Sequence, residues 1–399
     1  MLSVLNSKNS RGYSFLLSLE TRGIKLGLER TKKLLQRCQN PQKKIKSIQI
    51  IGTNGKGSTA ATLSSILLES GLKIGMYTSP HLVDLSERIQ INGFPISSHD
   101  IDCFIDDFKT DIEDLQCTFF ETMTALALTY FYNNNIDIAI LETGLGGKYD
   151  SVTACNPILQ LFTKISMDHQ HILGNSIEDI AKDKAHAIQN QNPCLSIAQN
   201  KKVKDILDDY AKEEQTSIKY ITETYDEEYQ SPLLGSHQKQ NILLAVEAAK
   251  KIKNIKKFDI IRGIQKTSWP GRFEIIQKTP MVIFDVCHND DSILEFCNTI
   301  NSLNHIGNKK LIISIQNRKF FQNAIPIINN IFSEIICTSI NNRMYHSNEL
   351  SSLFTTKNQI HAIEDPNDAI SMAMDSINNS DLLAIIGSHY WGEIVYKNF

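Results

Sequence analysis

The sequence predicts an α/β protein of two domains. The larger, N-terminal domain has a P-loop-type, mostly parallel sheet, and the smaller, C-terminal one is α/β and Rossmann-like. Three observations carry this. Short apolar runs alternate with helical patterns, first from Ile48 to Ile165 and again from Val282 to Ile386, as in parallel sheets covered by helices on both faces. The stretch Gly52-Thr53-Asn54-Gly55-Lys56-Gly57-Ser58-Thr59 joins an apolar run to a helical one. The turn Ser268-Trp269-Pro270-Gly271-Arg272 separates the two series, which places the domains at 1–270 and 271–399.

In chain order, Tyr13 to Gln39 reads as a helix with Leu28, Leu34, Leu35 and Cys38 on a partly apolar face, stopped by Pro41. Lys43-Lys44-Ile45-Lys46 reads as a solvated lead-in to the first strand, Ile48 to Ile51. After the glycine-rich turn come a helix from Ala60 to Ser70 and a strand from Lys73 to Tyr77, entered through Gly71. A helix from Phe119 to Tyr132 ends at Asn133-Asn134-Asn135 and leads to the strand Ile136 to Leu141, which delivers Glu142; the strand Ile158 to Ile165 delivers Asp168 and His169. Residues 200–232 turn charged and aperiodic, which predicts hairpins or an exposed excursion, and Asn241 to Ile252 is an amphipathic helix. In the second domain strands are expected at Val282 to Asp285, Lys310 to Ile315, Glu334 to Cys337 and Leu382 to Ile386. Helices are expected at Ser292 to Ile300, Phe320 to Ile331 and Asp368 to Ile377.

At 399 residues and 41% apolar content the chain can bury a sizeable core in each domain. The formal charge of -3 advertises neither nucleic acid nor an anionic membrane, so an anion site must be local. The eight cysteines are scattered, with no C-x-x-C pair and no zinc quartet, as expected of reduced thiols. Phe15-Leu16-Leu17 is too short for a signal-peptide core, and no apolar run approaches a membrane span. A soluble, cytoplasmic protein is expected.

The glycine-rich stretch departs from the usual G-x-x-x-x-G-K-[ST] pattern, having Ile50 and Gly57 where Gly and Ser or Thr would stand. Its chemistry survives: glycines that allow close backbone approach, a lysine as a point charge for phosphate, and a helix start behind them. A nucleotide-phosphate site is therefore the reading, with a ligand-free tight turn as the alternative. Glu142 ends an apolar strand before Thr143-Gly144-Leu145-Gly146-Gly147, where a carboxylate can hold a hard cation or cap a helix. His169 reads first as a hydrogen-bonded structural histidine, with a ligand as the alternative, and Lys184 by default as solvated. Asp285, His288 and Asn289 form either a ligand-contacting strand end or a helix cap.

The chain resembles the folylpolyglutamate synthase/dihydrofolate synthase family of Mur-ligase-like enzymes. The resemblance is carried by the glycine-rich stretch, Thr78-Ser79-Pro80-His81-Leu82, Glu87-Arg88-Ile89, Ile91-Asn92-Gly93, Thr118-Phe119-Phe120-Glu121, Leu141 to Gly147, Asp168-His169 with Ile172-Leu173-Gly174, His237-Gln238 with Asn241, and Trp269 to Arg272, in family order. It implies an ATP-dependent ligase that activates a carboxylate as an acyl phosphate and joins it to L-glutamate. The acceptor would be dihydropteroate or a reduced folate. By resemblance, Gly52, Asn54, Gly55, Lys56, Gly57, Ser58, Asn241, Arg272 and Asp285 would bind ATP, the last two from the smaller domain, so that closure completes the site. Ser79, Glu142, His169 and Lys184 would hold two magnesium ions, with Lys184 carbamylated. Lys56, His169 and Lys184 would be catalytic, and Thr118, Phe119, Phe120 and Glu121 would contact the pterin. A monomer without nucleic-acid or membrane partners is implied.

Some positions depart from the family pattern. Lys148 stands where the family has Arg, Asp150 to Asn156 blurs the following motif, Val286-Cys287 replaces Gly-Ala, and Ser314 to Lys319 lacks Asp-Lys-Asp. No glutamate-binding residue is assigned. The competing readings are a ligase acting on UDP-sugar peptides and an ATP-binding module without ligase activity.

Overall fold

The computed structural model describes residues 10–189, 191–252, 254–354 and 359–399. By contacts the chain divides into two compact units. The first takes the described residues up to Ser166, Gln170–Pro232 and Gln240–Ser268; the second takes Met167–His169, Leu233–Lys239 and Trp269–Phe399.

The first unit is built on strands β1 (Ser47–Ile51), β2 (Ile74–Tyr77), β3 (Ile89–Ile91), β4 (Phe94–Pro95), β5 (Ile138–Glu142), β6 (Leu159–Phe162), β7 (Cys194–Ser196) and β8 (Ile218–Tyr220). They form one sheet in the order β4-β3-β2-β5-β1-β6-β7-β8. Only the β2-β3 and β3-β4 pairs are antiparallel. Both faces are covered, so β1 and β5 are buried along their whole length, which is why they read as unbroken apolar runs. Two buried amides satisfy one another: the Gln160 amide donates to Gln49 Oε1 at 2.8 Å and to Ala187 O at 2.6 Å, and Gln49 donates to Thr153 Oγ1 at 3.0 Å. From β1 the chain moves toward β2 on one side, whereas from β5 and β6 it moves the other way. The reversal falls at the carboxyl end of β1, where ligands of such sheets sit.

The helix that follows β1 runs Lys56–Glu69 and packs closely on the helix Lys257–Lys266. A Cβ on Gly263 would come within 2.4 Å of Ile66 Cα, so only glycine allows that approach. Ser65 Oγ donates to Gly263 O at 2.7 Å across the same contact.

The second unit holds β9 (Glu274–Lys278), β10 (Met281–Asp285), β11 (Lys309–Ile313), β12 (Glu334–Cys337), β13 (Gln359–Ala362) and β14 (Leu382–Ile386), in the order β13-β12-β11-β14-β10-β9. β9 is antiparallel to β10 and the rest are parallel. Its core includes Phe273, Phe296, Phe321 and Phe332. Trp391 is fully buried, with its indole N–H on Ile386 O at 2.9 Å.

The mixed α/β architecture expected from the sequence is present in both units, and several elements differ in detail. The expected helix over 13–39 is two helices, Arg11–Ser18 and Glu29–Arg37, because Gly23 and Gly27 take φ of 62° and 115°, outside helical space. Residues 200–232 are neither hairpins nor an excursion: Lys201–Glu213 is a helix capped by Asn200, and β8 adds a parallel strand. Its buried face is only Val203, Leu207 and Ala211, which the surrounding charges mask. The strand expected at 158–165 is the shorter β6, and the helix expected at 320–331 begins at Ile325. All eight cysteines are free. Among the described residues no helix is long and apolar enough to cross a membrane.

Candidate functional site

The glycine-rich turn is fastened at both ends. Thr53 N and Asn54 N donate to Lys164 O at 2.8 and 3.2 Å, and Thr53 Oγ1 donates to Ser166 O at 3.0 Å. A Cβ on Gly52 would stand 1.9 Å from Thr163 Oγ1. Gly55 has φ 89°, and a Cβ there would lie 2.3 Å from Asn241 Oδ1, so the structure brings Asn241 against the loop. The helix starts at Lys56, earlier than the sequence suggested, with Gly55 as N-cap and no side-chain cap bond. The first-turn amides of Gly57 and Ser58 therefore face whatever lies beyond the helix end, a setting suited to an anion.

Three side chains and one backbone amide come together here. Lys56 Nζ lies 3.7 Å from Glu142 Oε1 and donates to Thr53 O at 3.2 Å. Glu142 is buried, and Ser79 N donates to its Oε2 at 3.4 Å. Lys184, which sequence reasoning alone took as solvated, is buried and donates to Gly52 O at 2.8 Å. A lysine and a carboxylate side by side at a helix start suit a phosphate and a hard cation together. Among the described residues no group of three or more His, Cys, Asp or Glu could hold a metal ion by itself. The Glu142 carboxylate beside the helix start thus fits a cation that one carboxylate and phosphate oxygens would hold, as they hold magnesium.

The loop Thr143 to Gly147 is shaped by two aspartates that the sequence did not single out. Asp150 accepts from Gly144 N at 2.8 Å, Leu145 N at 2.9 Å and Val152 N at 3.0 Å. Burial pushes its pKa up to about 6, against those amides and the charge of Lys184. Asp183 accepts from Gly147 N at 2.8 Å. Gly-rich loops leave amides that need acceptors, and that was the available signal.

The segment 118–121 opens the helix Phe119–Asn133. Thr118 and Glu121 form a reciprocal capping box, and buried Glu121 also pairs with Arg30 Nε at 3.0 Å. Phe120 lies 5.9 Å from the Tyr77 ring and against Gly144, and Phe119 lies 5.1 Å from the Arg88 guanidinium carbon.

The remaining named residues belong to the second unit. Asp285 accepts from Phe273 N and Cys287 N, both at 2.7 Å, so its carboxylate ties the Arg272-Phe273 turn to the end of β10. Arg272 Nη2 donates to His389 Nε2 at 3.4 Å, and His389 had not been named. His169 has φ 53° and its Nε2 is 3.9 Å from Asp168 Oδ2. Asp168 itself is clasped by Lys319 Nζ at 2.6 Å, Asn289 Nδ2 at 3.2 Å and His288 Nε2 at 3.5 Å.

Burial would raise the pKa of Asp168, but the His288 hydrogen bond and the charges of His288, Lys319 and His169 win and hold it well below the carboxylate range. A depressed folded pKa stabilises above the unfolded value of 3.8 and loses that contribution as pH falls further. Asp168→Asn is expected to flatten the acid limb of the stability curve below pH 4, read by denaturant melts from pH 5 to pH 2; an unchanged limb would contradict this.

With this geometry in place, comparison with known proteins defines the class first. Residues 50–223 match the model of the Mur ligase middle domain and 271–389 that of the Mur ligase glutamate ligase domain. The protein is thus a Mur-type ligase. The dihydrofolate synthase/folylpolyglutamate synthase of Bacillus subtilis (strain 168) is 32% identical over 405 residues, covering 92% of this chain and 94% of that one. Among solved structures, E. coli FolC in complex with DHPP and ADP superposes with a TM-score of 0.89 at 26% identity, covering 98% of both chains. The Yersinia pestis bifunctional folylpolyglutamate synthase/dihydrofolate synthase complexed with AMPPNP and Mn ion gives 0.88 at 25%, again covering 98% of both. The chain belongs to the dihydrofolate synthase/folylpolyglutamate synthase family.

Proposed function

We propose that this chain joins L-glutamate to dihydropteroate, to reduced folates, or to both, using ATP, and that it works in the cytoplasm as a monomer. The observation that carries this is the gathering of Lys56, Ser79 and Glu142 at the uncapped helix start behind β1. A carboxylate is a poor electrophile at neutral pH, so phosphorylation supplies the leaving group. The glutamate amine then attacks the acyl phosphate, and the tetrahedral intermediate collapses to an amide and phosphate.

Within that chemistry Gly52, Asn54, Gly55, Gly57 and Ser58 cradle the ATP phosphates and Lys56 neutralises them. Asn241, Arg272 and Asp285 also serve ATP, Asp285 by fixing the Arg272 turn. Ser79, Glu142, His169 and a carbamylated Lys184 would hold two magnesium ions, which supply charge neutralisation at the phosphoryl group. Phe119 and Phe120 offer ring faces to the pterin, and Thr118 and Glu121 hold the helix start that presents them. Residues 1–270 would carry ATP and pterin, and 271–399 glutamate.

Purified protein is expected to release phosphate from ATP only when pterin substrate and glutamate are both present. Comparing dihydropteroate with tetrahydrofolate separates the two acceptors, and a UDP-muramyl substrate tests the cell-wall alternative. Release that ignores both substrates would sink the proposal. A family relative spanning 92% of the chain favours the folate reading over that alternative and over an inactive ATP-binding module.

A further inference from the structure

The sequence lacks the family's Asp-Lys-Asp after β11, yet Lys319 from that loop is one of the most firmly placed cations in the second unit. Its side chain is 10% exposed, and Nζ meets Asp168 Oδ1 at 2.6 Å. The turn that carries it is closed by Lys319 N donating to Gln316 O at 2.9 Å, and Asn317 N donates to Arg343 O at 3.2 Å. Just beyond it, Asp290 N donates to Phe320 O at 3.1 Å. Lys319 is thus presented by a loop that is itself tied down.

Asp168 uses both carboxylate oxygens. Oδ1 takes Lys319 and the His169 amide at 2.7 Å, while Oδ2 takes Asn289 at 3.2 Å and stands 3.5 Å from His288. The residue that follows, His169, has φ 53°, a left-handed conformation that a non-glycine residue holds only where its surroundings impose it. The clasp on Asp168 is that imposition, since one carboxylate oxygen binds both the lysine and the amide of the strained residue.

We infer that Lys319 is a positioning residue for the divalent cation: by fixing Asp168 it sets the backbone of His169 and so the orientation of that imidazole. The inference rests on the reading of His169 as a metal ligand. Groups that orient a ligand from behind typically contribute 10- to 100-fold in metal affinity. Lys319 does not touch the metal in this arrangement, so its removal weakens binding without altering which atoms bind.

The test is Mn2+ binding to the AMPPNP-loaded protein at fixed bicarbonate, followed by the free-ion EPR signal, for wild type, Lys319→Met, Lys319→Arg, Asp168→Asn, Asp168→Asn/Lys319→Met and His169→Ala. Lys319→Met is expected to weaken Mn2+ roughly 10- to 100-fold, Lys319→Arg to recover most of that, and Lys319→Met to add nothing on top of Asp168→Asn. Melting curves check folding; should Lys319→Met not fold, the double variant, which removes both buried charges, takes its place against Asp168→Asn. Unchanged Mn2+ affinity in Lys319→Met, or losses that multiply in the double variant, would overturn the inference while leaving a weakened His169→Ala intact. Wild-type affinity in His169→Ala would overturn the ligand reading and this inference with it.

Discussion

Lys56→Ala is expected to lower glutamate-dependent phosphate release by about 100- to 1,000-fold, the loss seen when one preorganised donor to a developing charge is removed. The lysine is the compact cation set between the helix start and Glu142, 3.7 Å from that carboxylate. Its amine reaches the Thr53 carbonyl at 3.2 Å as well as the Glu142 side chain. Turnover should collapse, and the melting temperature reports separately the cost of leaving buried Glu142 without this cation. ATP affinity and kcat measured separately would show whether the charge acts in binding or in the transition state. Substantial retained turnover would contradict the phosphate role of this lysine.

The largest expected effect on stability lies in the second sheet. Lys310 on β11 faces Glu334, its direct register partner on β12, with Nζ 2.8 Å from Oε2 and side chains only 7% and 9% exposed. The amine also donates to Ser376 O at 2.9 Å and Ser376 Oγ at 2.7 Å. Lys310→Met leaves the buried carboxylate with His361 Nε2, 3.5 Å from Oε1, in place of the lysine, and breaking a buried pair from one side costs about 3–5 kcal/mol. Lys310→Met/Glu334→Leu removes both charges and should recover most of the loss, because desolvating the pair nearly offsets its attraction. Chemical denaturation of the three proteins measures this; a single variant as stable as wild type would show that the carboxylate finds another partner.

Much of the fold could be read from the chain because burial on both faces leaves its mark as continuous apolar strands. β1, β5, β10, β11, β12 and β14 were all legible for that reason. Short edge strands such as β4, β8 and β13 were not, since few of their residues need to be apolar. The helix Lys201–Glu213 escaped because three buried residues anchor thirteen, and the rest are free to be charged.

At the site, the glycine-rich turn announced itself, since a lysine flanked by glycines is hard to explain by packing. Lys184 did not, because a lysine on a charged helix looks solvated until the fold buries it beside the Gly52 carbonyl. Lys319 and His389 act on partners distant in sequence, Asp168 standing 151 residues from Lys319 and Arg272 117 from His389. A single sequence carries no signal of such pairing.

The amide ladder of Gln49 and Gln160 also acts as a ruler. Because these two side chains meet inside an otherwise apolar sheet, sliding β1 against β6 by one residue would leave buried amides unpartnered, at about 1–3 kcal/mol for each group. A misregistered sheet is thereby selected against during assembly. The turn after β1 and the Lys164 carbonyl that fastens it follow directly on the two strands so indexed. The turn proposed to receive phosphate is thus calibrated from the middle of the sheet, by residues that lie outside it.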